Sequence, residues 1–152
     1  MTGHPGVTLT AFRSYAESVP AALDACGAAG LLKRRKRILI KPNLVNASPP
    51  PVTTPVECCA AIVRYVRRHA PQAEIVIAEG CGDVLHETPE LFAIHGYDLL
   101  SGREGVGLLD LNRADCVRVD NPGGEIFTEF WLPEAAMRSE ERRVGKECRS
   151  RW

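Results

Sequence analysis

Two short apolar runs separated by one amphipathic helical pattern constrain this chain more than any other feature. Residues 38–40 read ILI and residues 73–80 read AEIVIAEG. Between them, TPVECCAAIVRYVRRHAP sets Val56, Cys59, Ala60, Val63 and Val66 at helical spacing and turns Arg64, Arg67 and Arg68 to the other face. Unbroken apolar runs of this length suit strands covered on both faces. Strand, crossover helix and strand make a βαβ unit, whose strands are parallel. The expectation is an α/β fold, a mostly parallel sheet with helices on its faces.

The flanking segments extend the alternation. VTLTAF (7–12) alternates and carries β-branched residues, so it is expected to be a first strand. SVPAALDACGAAGLL follows as a helix with Ser18 as N-cap, Pro20 in its first turn and an end near Gly30. The basic cluster at 33–37 is a solvated connector rather than a nucleic-acid patch. Thr54 as N-cap, Pro55 at the first helical position and Glu57 three residues after the cap form a capping box. Thr88-Pro89 repeats that signal before TPELFAIHGYDLL, a third helix. VGLLDL (106–111) is a further strand, and DCVRVD with EIFTEFWL forms a hairpin turning at Pro122, Gly123 and Gly124.

Composition removes several classes. The 152 residues are 45% hydrophobic and 25% charged, which fits one globular domain with a core. No run of about 18 apolar residues is present, and the first residues lack the basic start and apolar stretch of a secretory signal, so no membrane span and a cytoplasmic location are expected. The six cysteines show no C-x-x-C pair, which argues for reduced thiols and against zinc or an iron–sulfur cluster in this chain. Residues 138–152, RSEERRVGKECRSRW, have no helical stripe, no strand alternation and almost no aliphatic side chain. They match the translation of a sequencing-library adapter and are read as an appended artefact, leaving 7–137 as a partial α/β domain. Taking the tail's six basic and three acidic residues from 19 of each leaves 13 against 16, net −3, so nucleic acid is not an expected partner.

In an open α/β sheet, ligands sit beyond the carboxyl ends of the strands. Lys41 is where one buried strand emerges at that edge, and Glu79 and Gly80 mark the end of the next. The helix that starts after the 42–53 loop points its free N–H groups toward the same edge, where they attract anions. Lys41 and Glu79 are therefore the candidate catalytic residues, with Asn43, Thr53, Thr54 and Gly80 as candidate ligand-binding residues for a phosphate or carboxylate; no metal ligands are assigned. Structural alternatives stand beside each. Lys41 can simply snorkel, Asn43 can close the turn after Pro42, and Glu79 can be no more than an ion-pair partner of Lys41. Glu79 is equally open to a role as metal ligand or general base. His86 offers proton transfer or metal binding and otherwise is an exposed loop histidine, and His95 reads as helix surface or as a charge at the helix C-terminus. Cys81 lies at the same edge with no base evident from spacing. EGCGD has neither dinucleotide-binding nor Walker spacing.

The pattern ILIKPNLV, then TTPVECCAAIVRYV, then AEIVIAEG resembles the N-terminal part of the family called domain of unknown function 362, over roughly residues 7–112. By that resemblance Lys41, Pro42, Asn43, Leu44, Thr54, Pro55, Glu79 and Gly80 match motif positions. Many relatives carry ferredoxin-like iron–sulfur segments, which implies a redox setting for the parent protein. Two functions are carried forward. One is a fragment that binds a small anionic molecule at the strand edge and whose parent is a redox-linked enzyme. The other is a non-catalytic scaffold within an iron–sulfur electron-transfer accessory protein. A third possibility is a reading frame with no function of its own. Cofactor, reaction and oligomeric state are not assigned from sequence.

Overall fold

The computed structural model describes residues 7–138; the adapter-like segment from 139 onward lies outside them. Its elements in chain order are α1 (Tyr15–Ala25), α2 (Ala28–Leu32), β1 (Arg37–Ile40), α3 (Val56–His69), β2 (Glu74–Glu79), α4 (Thr88–Ile94), α5 (Tyr97–Glu104), β3 (Gly107–Asp110), β4 (Cys116–Asp120), β5 (Glu129–Pro133) and α6 (Glu134–Arg138). The fold is α/β: β1, β2 and β3 form a parallel sheet in that order, and β4 pairs antiparallel with β5. In the parallel sheet Ile38 lies beside Ile75, Ile40 beside Ile77, and Glu79 beside Asp110.

The strand period of two divides the sheet. Ile38, Ile40, Ile75 and Ile77 share a core with Cys59, Ala60, Val63 and Val66 of α3 and with Tyr97 and Leu100 of α5. α1 packs along α3, joined by the Tyr65 hydroxyl bonding the Asp24 carboxylate. Leu39 and Val76 face the other way and are half-buried. There α6 approaches β1, leaving a cleft of about 250 Å³ between Leu39, Val76 and Ala135, with Arg37, Glu74 and Glu134 also lining it.

Several local expectations change. Residues 7–12 form no strand: Leu9 is 99% exposed, and the backbone of Ala11 and Arg13 bonds to the Ser18 hydroxyl rather than to a neighbouring strand. With Ser18 so engaged, Ser14 caps α1 by accepting from the Glu17 N–H, which places Pro20 inside the helix. Left-handed Gly27 then separates α1 from α2. Thr54 does not cap α3. Its Oγ1 accepts from the Asn43 N–H instead, and Pro55 holds the N-cap position without a side-chain bond. At α4 the capping box is made by Glu87 and Glu90, because Thr88 turns inward and accepts from the Cys81 N–H. The third helix breaks at Gly96, whose positive φ of 77° redirects the chain into α5. β4 and β5 pair as the expected hairpin, but β5 starts at Glu129 rather than at Glu125, so residues 121–128 form the connection instead of a tight turn at 122–124.

Candidate functional site

The carboxyl ends of β1, β2 and β3 carry loops 41–55, 80–87 and 111–115, which form the rim where ligands of this fold class sit. Lys41 leaves the end of β1 in an extended stretch that alternates: Lys41 and Asn43 face water while Pro42 and Leu44 are buried, Leu44 completely. That anchor explains why the lysine is held at the edge rather than lost in a mobile loop. Its ammonium bonds the Glu79 carboxylate at the end of β2. The pair is asymmetric, since the Lys41 side chain is 55% exposed and that of Glu79 only 6%. Burial raises the Glu79 pKa above the ordinary value, and the hydrogen bond and charge of Lys41, with the Gly80 N–H, oppose the rise without cancelling it.

The remaining predicted residues build the loop. Asn43 and Thr54 clasp each other: the Asn43 N–H donates to Thr54 Oγ1 at 2.9 Å, and the Thr54 N–H donates to the Asn43 carbonyl at 2.8 Å. The Asn43 amide nitrogen donates to the Val52 carbonyl at 2.7 Å. Thr53 is buried, and its hydroxyl donates to the Ser48 carbonyl at 2.8 Å. The Tyr97 hydroxyl donates to the Thr54 carbonyl at 2.9 Å, which fixes the clasp to α5. These threonines have their side-chain oxygens engaged within the protein. A Cβ at Gly80 would fall 2.4 Å from Asn112 Oδ1, so a larger residue there would have to displace the Asn112 side chain. The Asn112 amide in turn donates to the Cys81 carbonyl at 2.9 Å, joining the second rim loop to the third.

The structure therefore brings Lys41 and Glu79 into contact, pairs Asn43 with Thr54, and turns Thr53 away into the loop interior. The Cys81 thiol donates to the His86 carbonyl at 3.3 Å. His86 Nδ1 lies 2.8 Å from Asp83 Oδ2, and His95 Nε2 lies 3.0 Å from the Asn46 carbonyl. Among the described residues no three histidine, cysteine or acidic side chains converge as a metal site. The 250 Å³ cleft opens near Arg37 and Glu74, the first residues of β1 and β2, at the opposite end of the strands from this rim.

Two rim acids escaped the sequence reading. Asp110 ends β3 beside Glu79, its carboxylate accepting from the Asn112 N–H, and the strand-end rule that selected Lys41 and Glu79 picks it from VGLLDL as well. Asp83, the partner of His86, had no comparable signal, since only the loop's folding joins residues three apart in this way.

Fold and rim together define an open-sheet α/β protein with charged side chains at the carboxyl ends of its strands. The family model described as domain of unknown function (DUF362) matches residues 38–140, and the chain belongs to that family. No curated protein and no solved structure matches it. No helix among the described residues is long and apolar enough to cross a membrane.

Proposed function

We propose that this protein binds a small anionic molecule, a phosphate or carboxylate, at the rim around Lys41, in a cytoplasmic parent that is a redox-linked enzyme. The observation that carries the reading is the asymmetry of the Lys41–Glu79 pair. A buried carboxylate anchors the ammonium of a lysine whose side chain is 55% exposed. An ammonium has three donors, so two remain for a ligand after Glu79 takes one. α3 begins beyond the same edge and adds the positive end of a 14-residue helix dipole. In this reading Asn43, Thr53 and Thr54 hold the loop that shapes the rim, Gly80 allows its close packing, and Lys41 and Glu79 meet the ligand.

Calorimetric titration with inorganic phosphate tests it. Lys41→Met is expected to weaken binding by about tenfold or more, the equivalent of roughly 1.4 kcal/mol. Unchanged affinity in a folded variant would remove the site. A second reading, a non-catalytic scaffold in an iron–sulfur electron-transfer assembly, draws on the exposed Ile126, Phe127 and Trp131 of the hairpin. Association with a ferredoxin that is lost in Phe127→Ser would favour it.

A further inference from the structure

The end of the sheet opposite the rim gathers positive charge. The parallel register aligns the starts of the strands there, with Arg37 beside Glu74 and Val76 beside Gly107. A continuous run of contacts crosses it. Arg37 pairs with Glu74 at 3.1 Å, and the Glu74 N–H donates to the Lys36 carbonyl at 2.8 Å. Next to Glu74, the Ala73 carbonyl accepts from the Arg67 guanidinium at 2.7 Å, and the same guanidinium donates to the Gly105 carbonyl at 3.1 Å. Beside Gly105, the Glu104 carboxylate pairs with Arg64 at 3.0 Å and with Arg103 at 3.5 Å. Arg68 lies one turn beyond Arg64 on the same face of α3 and is exposed. Lys33 and Arg34 are exposed on the connector into β1, just after α2, which packs on α3.

The carboxylates here do not balance this charge. Glu74 answers Arg37, and Glu104 is shared by two arginines. The Arg67 guanidinium bonds carbonyls, which carry no net charge. Lys33, Arg34 and Arg68 form no ion pair among the described residues. The carboxyl ends of α3 and α5 offset roughly half a unit each, less than those three side chains supply. The net charge of the whole chain hides the separation, because Glu79, Asp83, Glu87 and Asp110 all lie on the rim at the other end.

We infer that this end of the sheet is a docking surface for the sugar–phosphate backbone of double-stranded nucleic acid. Phosphates call for dense positive charge and forked donors, and the arginines supply both. The starts of three strands span about 10 Å, enough to meet several phosphates, which recur about every 3.4 Å of axis on each strand. A protein partner is held by buried aromatic and aliphatic anchors, and a single strand by rings on which its bases stack. Among the described residues the exposed rings are Phe12, Phe127, Phe130 and Trp131, none of which takes part in this run of contacts. The exposed arginines and Lys33 meet phosphates without reading sequence, and Arg67, committed to two carbonyls, holds the surface together.

Fluorescence anisotropy of the full chain with labelled DNA and RNA duplexes of about 20 base pairs tests this. At about 50 mM salt binding is expected, falling steeply as salt rises, and the duplex bound more tightly names the source. Arg34→Gln with Arg68→Gln removes two exposed, unpaired cations, so the double variant should keep the wild-type unfolding midpoint. It should bind at least about tenfold more weakly at that salt, with a log–log salt slope shallower by about two. Lys33→Gln alone should flatten the slope by about one. The basic residues beyond Arg138 are common to all these chains. A slope unchanged in the folded double variant therefore places binding elsewhere and overturns the inference, as does no binding of either duplex. Poly-L-glutamate that displaces the label as well as unlabelled duplex does, charge for charge, overturns it in favour of an acidic protein. Phosphate binding at Lys41, at the other end of the strands, can fail without altering any of these outcomes.

Discussion

Replacing Lys41 with methionine separates the charge of the rim from its packing, because methionine keeps most of the aliphatic stem and removes the ammonium. Exposed ion pairs contribute about 0–1 kcal/mol. Removing one partner of a buried pair costs roughly 3–5 kcal/mol. Here one partner is buried and the other is mostly in water, so solvent screening discounts the buried limit and the expected cost near neutral pH is about 1–2 kcal/mol. For a chain of this size that lowers Tm by roughly 3–6 °C.

The pH dependence gives the sharper test. The Glu79 pKa is raised in the folded state above the ordinary 4.5 by burial, with Lys41 opposing. A raised folded value means that the folded protein binds this proton more tightly than the unfolded chain. The resulting stabilisation is fully present below the unfolded value and is lost as pH rises through the folded one. Removing Lys41 raises the folded value further, so its cost appears only where Glu79 would be ionised. Thermal unfolding followed by circular dichroism should therefore find Lys41→Met close to wild type near about pH 4 and less stable near about pH 7. Glu79→Gln mimics the protonated acid, and in that background Lys41→Met should change little. An equal loss at both pH values, or the same loss in the Glu79→Gln background, would show that the lysine stem rather than its charge matters.

Three further outcomes follow from the same contacts. Tyr97→Phe removes the donor to the Thr54 carbonyl and is expected to cost about 1 kcal/mol, read as a lower midpoint in urea unfolding; an unchanged midpoint would mean that the clasp stands without α5. Gly80→Ala drives a Cβ into the Asn112 side chain and should destabilise by about 1–3 kcal/mol, with Asn112→Ala in the same chain restoring most of the loss. Burial pushes the Cys59 thiol up to about 11, whereas Cys116 is exposed, so mass mapping of timed alkylation at mildly alkaline pH should find Cys116 modified well before Cys59.

The heart of the fold was legible because its signals are local and mutually consistent. ILI and EIVIAE can be satisfied only by cover on both faces, and the apolar stripe of residues 56–69 supplies one side of it. Capping was not legible, because several oxygens compete for each set of N–H groups. Ser18, Thr54 and Thr88 carry the expected capping pattern, yet none of them caps a helix, and Ser14 takes that role at α1. Thr54 instead accepts from Asn43 near the other end of its own loop, and Thr88 from Cys81 near the start of the loop that leads into α4. The expected first strand failed for a related reason, since an alternating pattern forms a strand only where another strand accepts its hydrogen bonds.

By itself, then, the sequence determined the parallel βαβ core and the placement of Lys41 and Glu79 at the ends of its strands, because periodicity and strand termini are properties of contiguous residues. Tertiary structure decided the chemistry of the rim. It buried Glu79 while leaving Lys41 in water, set Asp110 beside Glu79, closed Asn112 over Gly80 and turned His86 onto Asp83. Each of those depends on which loops meet in space, and so on burial and hydrogen-bond competition that no local window of residues contains.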